Sequence, residues 1–137
     1  MSAQKKIQYE QLQPGYEFPE AVFTVDNSIL DKYLRATEEN DPVYRENNLV
    51  PPTALAAWAM ASLSEAMELP AGTIHVSQEL EYGEAVFIDE TVTTHAAVSG
   101  KRSRGKFDLM TIDISVRNRK GDSVLGGKTS FLLPQTE

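Results

Sequence analysis

From Val50 to Met67 the sequence reads Val-Pro-Pro-Thr-Ala-Leu-Ala-Ala-Trp-Ala-Met-Ala-Ser-Leu-Ser-Glu-Ala-Met, with Glu65 its one ionisable side chain. Nothing else in the chain limits the fold as much. Pro51-Pro52 cannot lie inside a helix but suit its start, and Pro70 with Gly72 close the run, so a helix is predicted over about residues 53–68 with Thr53 as N-cap. A helix lying on a protein surface needs a polar face, and this one has none before Glu65; it is expected to be buried nearly all round. Its many alanines would let other backbone come close. At this length and alanine content the run is too short and too small-sided to span a bilayer.

Beyond Gly72 the apolar period changes from helical to two. Strands are predicted over 75–82, 87–98, 106–117 and 124–133, with Gly100 to Gly105 and Lys120-Gly121-Asp122 as hairpin turns. The plainest alternation sets Met110, Ile112, Ile114 and Val116 against Thr111, Asp113 and Ser115. Upstream, Pro14, Gly15 and Pro19 mark residues 1–20 as a lead-in arm, and 21–26 is extended. Ser28 with Asp31 predicts a capping box for a helix carrying Ile29, Tyr33 and Leu34 on one side, which ends ahead of Asp41-Pro42. The expected class is α+β: one domain over 1–137, an antiparallel sheet wrapped around the long apolar helix. That is the hotdog arrangement. A small curved sheet leaves an edge to cover, so a dimer is expected.

Composition narrows the function classes. The 137 residues include no cysteine, which removes disulfide scaffolds, thiolate metal sites and cysteine nucleophiles, and is compatible with a reducing cytoplasm. Thirteen Lys and Arg against twenty Asp and Glu give a net charge of −7, a poor match to a phosphate backbone, so nucleic acid is not an expected partner. The polar start, Met1 to Lys6, lacks the apolar core of a signal peptide. A soluble cytoplasmic protein with no membrane partner is the expectation. The two histidines, His75 and His95, lie far apart, and no metal or other cofactor is predicted. His95 is expected to face solvent or an interface. Ser62 and Ser64 lack the glycines of a nucleophile elbow.

The segment Tyr33-Leu-Arg-Ala-Thr-Glu-Glu-Asn-Asp-Pro-Val-Tyr44, followed by Val50-Pro-Pro-Thr53, resembles the signature of the MaoC-like (R)-specific enoyl-thioester hydratases and dehydratases, a hotdog family. So do Gly72-Thr-Ile-His75-Val-Ser-Gln78-Glu-Leu-Glu, the stretch Val116 to Val124, and Leu132-Leu-Pro; together they cover about residues 14–134. The Pro-Pro-Thr step, His75 and Gln78 are most similar to the N-terminal, non-catalytic type of MaoC-like domain. Aligned on Pro42, the resemblance puts Glu39 at the catalytic Asp, Asp41 at the Asn, and Tyr44 at the catalytic His, while Glu38 takes the place of a glycine.

Addition of water to an enoyl thioester requires one group to take a proton from water and a group to give one to the α-carbon. Imidazole titrates near neutrality; a phenol, with an ordinary pKa of about 10, is a poor base. The resemblance therefore implies a degenerate dyad at Glu39, Asp41 and Tyr44. It implies reversible interconversion of 2-enoyl and (R)-3-hydroxyacyl thioesters of coenzyme A or acyl carrier protein. The chain would be the substrate-binding subunit of a homodimer, or of a heterodimer with a His-bearing MaoC-like subunit. The alternatives are a self-sufficient hydratase using Glu39, or a non-enzymatic acyl-CoA-binding protein; Glu65, the one carboxylate of the long helix, would be needed for thioester hydrolysis. Expected substrate contacts are Pro52, Thr53, Trp58, His75 and Gln78, with Arg102 and Arg104 reaching phosphates from the basic run Lys101-Arg-Ser-Arg-Gly-Lys106.

Overall fold

A computed structural model describes residues 6–135; the remainder of the polar start, Met1 to Lys5, lies outside the described residues. Strand β1 (Ile7–Gln8) leads into a single 3-10 turn, Tyr9–Gln11, then β2 (Ala21–Thr24), α1 (Asn27–Ala36), the short α2 (Val43–Glu46) and α3 (Pro52–Ala66). Strands β3 (Met67–Glu68), β4 (Ile74–Tyr82), β5 (Thr91–Arg104), β6 (Phe107–Asn118) and β7 (Ser123–Pro134) complete the chain. The main sheet has five strands in the order β2-β5-β6-β7-β4, every neighbour antiparallel, while β1 and β3 form a separate parallel pair. The α+β hotdog expectation is borne out. No described helix is long and apolar enough to cross a membrane.

The alternation of β6 does what its period requires. Met110, Ile112, Ile114 and Val116 are buried, and with Val98, Leu125 and Leu133 they form the floor on which α3 sits through Ala54, Leu55, Ala59 and Leu63. Contrary to the sequence expectation, α3 is not covered all round: Thr53, Ala57, Ala61, Ser64 and Glu65 are exposed. One five-stranded sheet has one concave face and can enclose only one side of a helix. The exposed side costs little because its side chains are small.

Several boundaries also differ from expectation. Asp26, rather than Ser28, caps α1: its Oδ1 accepts the Ile29 N–H at 2.8 Å. Thr53 lies inside α3, whose N-cap is Pro51. The strand predicted over 87–98 starts at Thr91 instead of Phe87, because Asp89 takes a left-handed backbone (φ 71°) and its N–H turns to the Val25 carbonyl at 2.8 Å. Strand β5 runs past a bulge between Val98 and Gly100 to Arg104, so the turn is confined to the Gly105 region. The arm is no loose lead: Leu12 and Phe18 are core residues, and Gly15 and Phe18 N–H groups donate to the Val98 and Ala96 carbonyls.

Candidate functional site

Helix α1 ends in a Schellman turn. The Glu39 N–H reaches back to the Leu34 carbonyl at 2.9 Å and the Glu38 N–H to the Arg35 carbonyl at 3.2 Å, with Glu38 between them at φ 55°. This is the left-handed conformation that glycine accepts without cost. Glu38 therefore sits in a glycine-type position, the one the resembled signature fills with glycine.

The next residues fold back on themselves. Glu39 Oε1 accepts the Asp41 N–H at 3.0 Å, and Asp41 Oδ1 accepts the Val43 N–H at 3.0 Å, an Asx turn that opens α2. Both carboxylates are exposed and each has an oxygen committed to local backbone. Tyr44 is half-buried with its ring against the core. Among the described residues no side-chain hydrogen bond joins Glu39 or Asp41 to Tyr44. Asp31 pins the segment, bonding Arg45 at 2.8 Å and Arg35 at 2.9 Å, so α2 is held against α1.

The start of α3 comes close to α1. The Tyr33 and Thr53 hydroxyls lie 2.8 Å apart, and Trp58 packs between Tyr33 (5.8 Å between centroids) and Phe23 (5.9 Å). Beside Trp58 a groove of about 360 Å³ runs between β2, α1 and α3, lined by Val22, Phe23, Ile29, Trp58, Ala61, Ser62 and Glu65. Its walls are mostly apolar with carboxylate and hydroxyl at one margin, the composition expected of a site for a chain-like ligand with a polar end. Tyr33 was legible as part of the signature but not as a site residue; an aromatic five residues before the left-handed Glu38 carries no distinguishing mark until α3 arrives beside it.

The remaining sequence candidates lie elsewhere. His75, on β4, contacts the buried Thr129 hydroxyl through Nε2 at 2.5 Å and stacks on Phe131 at 4.8 Å. Gln78 lies on the same strand opposite Thr129 and is exposed. Arg102 lines a polar cavity of about 490 Å³ with Tyr9, Glu10, Gln13, Lys101, Ser103, Asp108 and Gln135. Arg104, next to the hairpin turn, is exposed. Phe23 pairs with Val92 on β5, and Arg102 is ten residues further along that strand, about 30 Å away at the usual rise. One chain therefore does not bring its basic hairpin to its Trp58 groove.

The sequence did not mark Tyr9 and Asp108 as a pair. Their side chains are joined by a short hydrogen bond, with Lys101 Nζ 4.1 Å above the Tyr9 ring and Ser103 and Gln135 donating to Asp108 at 3.2 and 3.1 Å. Burial and the Asp108 carboxylate push the Tyr9 phenol up to about 12, and the Tyr9 bond holds Asp108 below the ordinary carboxylate value. This cluster fastens the arm to the β5–β6 hairpin. His95, as expected, is exposed, with Nδ1 3.3 Å from Glu20. No cluster suited to a metal ion occurs among the described residues.

Comparison with known proteins agrees with this architecture. The sequence model of the FAS1-like, dehydratase domain region matches residues 12–126. No curated protein is significantly similar in sequence. Among solved structures, the (R)-hydratase from A. caviae involved in PHA biosynthesis superposes with a TM-score of 0.75 at 17% identity, covering 91% of this chain and 99% of that one. R-hydratase PhaJ1 from Pseudomonas aeruginosa gives 0.79 at 17% identity, covering 96% and 88%. The HadBC (3R-hydroxyacyl-ACP dehydratase) complex from Mycobacterium tuberculosis gives 0.67 at 15% identity, covering 87% and 96%.

Proposed function

Because the chain belongs to the FAS1-like dehydratase-region family of MaoC-like hotdog proteins, we propose that it is the substrate-binding subunit of a dimeric acyl-thioester hydratase/dehydratase. The reaction adds water across a 2-enoyl thioester, hydroxyl to the β-carbon and hydrogen to the α-carbon, giving the (R)-3-hydroxyacyl form, or runs in reverse. The thioester is that of coenzyme A or an acyl carrier protein. The acyl chain lies along the groove beside Trp58. The thioester carbonyl meets the N-terminus of α3 near Pro52 and Thr53, where the helix dipole favours developing negative charge. Arg102 and Arg104, too far from this groove to serve it, bind phosphate for the partner's site instead. His75 and Gln78, on the exposed edge strand, contribute across the dimer.

One observation carries the subunit role. Tyr44 stands where the signature has its imidazole, and Glu39 and Asp41 are each engaged with a backbone N–H two residues ahead. The chain thus offers a binding groove without an acid–base pair, and the pair comes from a His-bearing subunit. The second reading, a self-sufficient hydratase, is favoured by the second Glu39 oxygen, which accepts no hydrogen bond among the described residues and faces solvent.

The test follows loss of enoyl absorbance from crotonyl-CoA and a longer enoyl-CoA with the purified chain. Absence of turnover, together with saturable acyl-CoA binding that weakens at least tenfold in Trp58→Ala, is the expected result. Turnover by the chain alone that vanishes in Glu39→Gln would overturn the subunit role and establish the second reading. Binding that no MaoC-like partner converts to turnover would make this an acyl-binding protein.

A further inference from the structure

Strand β5 turns every second side chain toward α3. On that face Val92 and Val98 are buried, and Thr94 is buried with them at 6% accessibility. Its Oγ1 is the one buried side-chain polar atom among the described residues that has no hydrogen-bond partner. A hydroxyl shut away from water without a partner is costly, and valine would fill the same space without that cost. Packing therefore gives no reason for a threonine here.

The Thr94 side chain borders a crevice. Phe18 and Ala21 on one side, Ala59 and Ser62 of α3 on the other, and Ala96 beside it bound a volume of about 10 Å³, the room of a single water-sized group. Ala21 and Ser62 also line the groove beside Trp58, so the crevice is an inward branch of that groove. Its walls are small or apolar apart from the Thr94 and Ser62 hydroxyls.

The chemistry of the two hydroxyls selects what completes them. A third hydroxyl both donates and accepts, as they do. An ammonium ion only donates and would lose its hydration in an apolar crevice. A carboxylate would lose its hydration too, and would lie near Glu65 at the groove margin. A methyl group leaves Thr94 unpaired. Length is set by α3: Ser62 is nine residues beyond Thr53, about 13 Å at a rise of about 1.5 Å per residue. An extended acyl chain, with bonds of about 1.5 Å, advances about 1.25 Å per carbon and covers that distance in about ten carbons.

We propose that the groove beside Trp58 selects acyl chains bearing a hydroxyl about ten carbons from the thioester, and that this hydroxyl seats between Thr94 and Ser62. The proposal rests on reading the groove as the acyl site, and it names the class of chain that the site takes.

Trp58 is the chain's one tryptophan, so its fluorescence reports on the groove directly. Titration of the full chain is expected to show 10-hydroxydecanoyl-CoA binding about fivefold more tightly than decanoyl-CoA, the value of one added hydrogen bond. At six carbons the hydroxyl should bring no gain, because it stops short of Ser62. Thr94→Val should abolish the preference while unfolding at a urea concentration no lower than wild type, since it removes the unpaired hydroxyl. Thr94→Ser should keep the preference, and Ser62→Ala, on the half-buried side of the helix, should weaken it. Decanoyl-CoA binding as tightly as its hydroxylated form, an equal gain at six carbons, or a preference that survives Thr94→Val would overturn the proposal. Failure of both decanoyl ligands to change Trp58 emission would overturn the acyl-site reading as well; binding without a hydroxyl preference would overturn this inference alone.

Discussion

Gly127 on β7 faces the edge strand so closely that a Cβ there would lie 2.0 Å from the Glu79 carbonyl oxygen, 3.0 Å from its carbon and 3.1 Å from Leu80 Cα. All three are backbone atoms of β4, so no side-chain rotation relieves the contact. Restoring an ordinary separation of about 3.4 Å requires β4 to retreat by about 1.4 Å, enough to break the ladder bonds beside it. Overpacking of this kind costs about 1–3 kcal/mol and each forfeited ladder bond about 1 kcal/mol. Gly127→Ala is therefore expected to lose about 3 kcal/mol, a large part of a marginal total stability, with a fall in Tm of about 10 °C. The neighbouring Gly126 is the internal control, since its Cβ would meet nothing closer than the Ile114 carbonyl oxygen at 3.9 Å. Gly126→Ala should stay within about 1 kcal/mol of wild type, the ordinary range for an uncrowded Gly-to-Ala change. Urea titrations of the three proteins, followed by circular dichroism, measure both differences. Equal stability of Gly127→Ala and Gly126→Ala would refute the argument from close strand approach.

Removing the left-handed penalty by Glu38→Gly should stabilise the protein by about 0.5–1 kcal/mol in the same titration, because the Schellman turn at the end of α1 requires φ near 55°. Asp26→Ala should cost about 1 kcal/mol through loss of the Ile29 N–H bond. The Tyr9–Asp108 pair makes stability depend on pH at both ends. The raised phenol contributes below its ordinary value of 10 and the contribution is lost as pH rises toward about 12, whereas the lowered carboxyl contributes above its ordinary value of 3.8 and is lost as pH falls below it. Tyr9→Phe should accordingly flatten the fall in Tm between pH 10 and 12 relative to wild type; unchanged slopes would show that the bond does not form in solution.

Periodicity was enough for the strands and the two longer helices, because each depends on residues within a few positions. The exchange of period after Gly72, the buried Met110-Ile112-Ile114-Val116 face and the proline-bounded apolar helix all appear in the structure as the pattern implied. Errors fell where a distant partner decided the matter. Asp89 turns the chain to reach the Val25 carbonyl, so the strand expected from Phe87 begins only at Thr91. The arm is ordered because Leu12 and Phe18 find the core, and Leu12 carries no local sign of that.

The same division holds for the site. Glu39-Asn-Asp-Pro, Tyr44 and the Pro-Pro-Thr step could be found in the linear chain, since a signature is a matter of spacing. Only the tertiary structure decided that Tyr33 and Thr53 meet, that Trp58 lies between Phe23 and Tyr33 beside a groove, and that Arg102 is about 30 Å along β5 from Phe23's partner. It also decided which side of α3 is left open. Local sequence determines what each segment prefers to be; the sheet order determines which faces meet and which edge remains free. Those depend on contacts between residues far apart in the chain, which no window along the sequence contains.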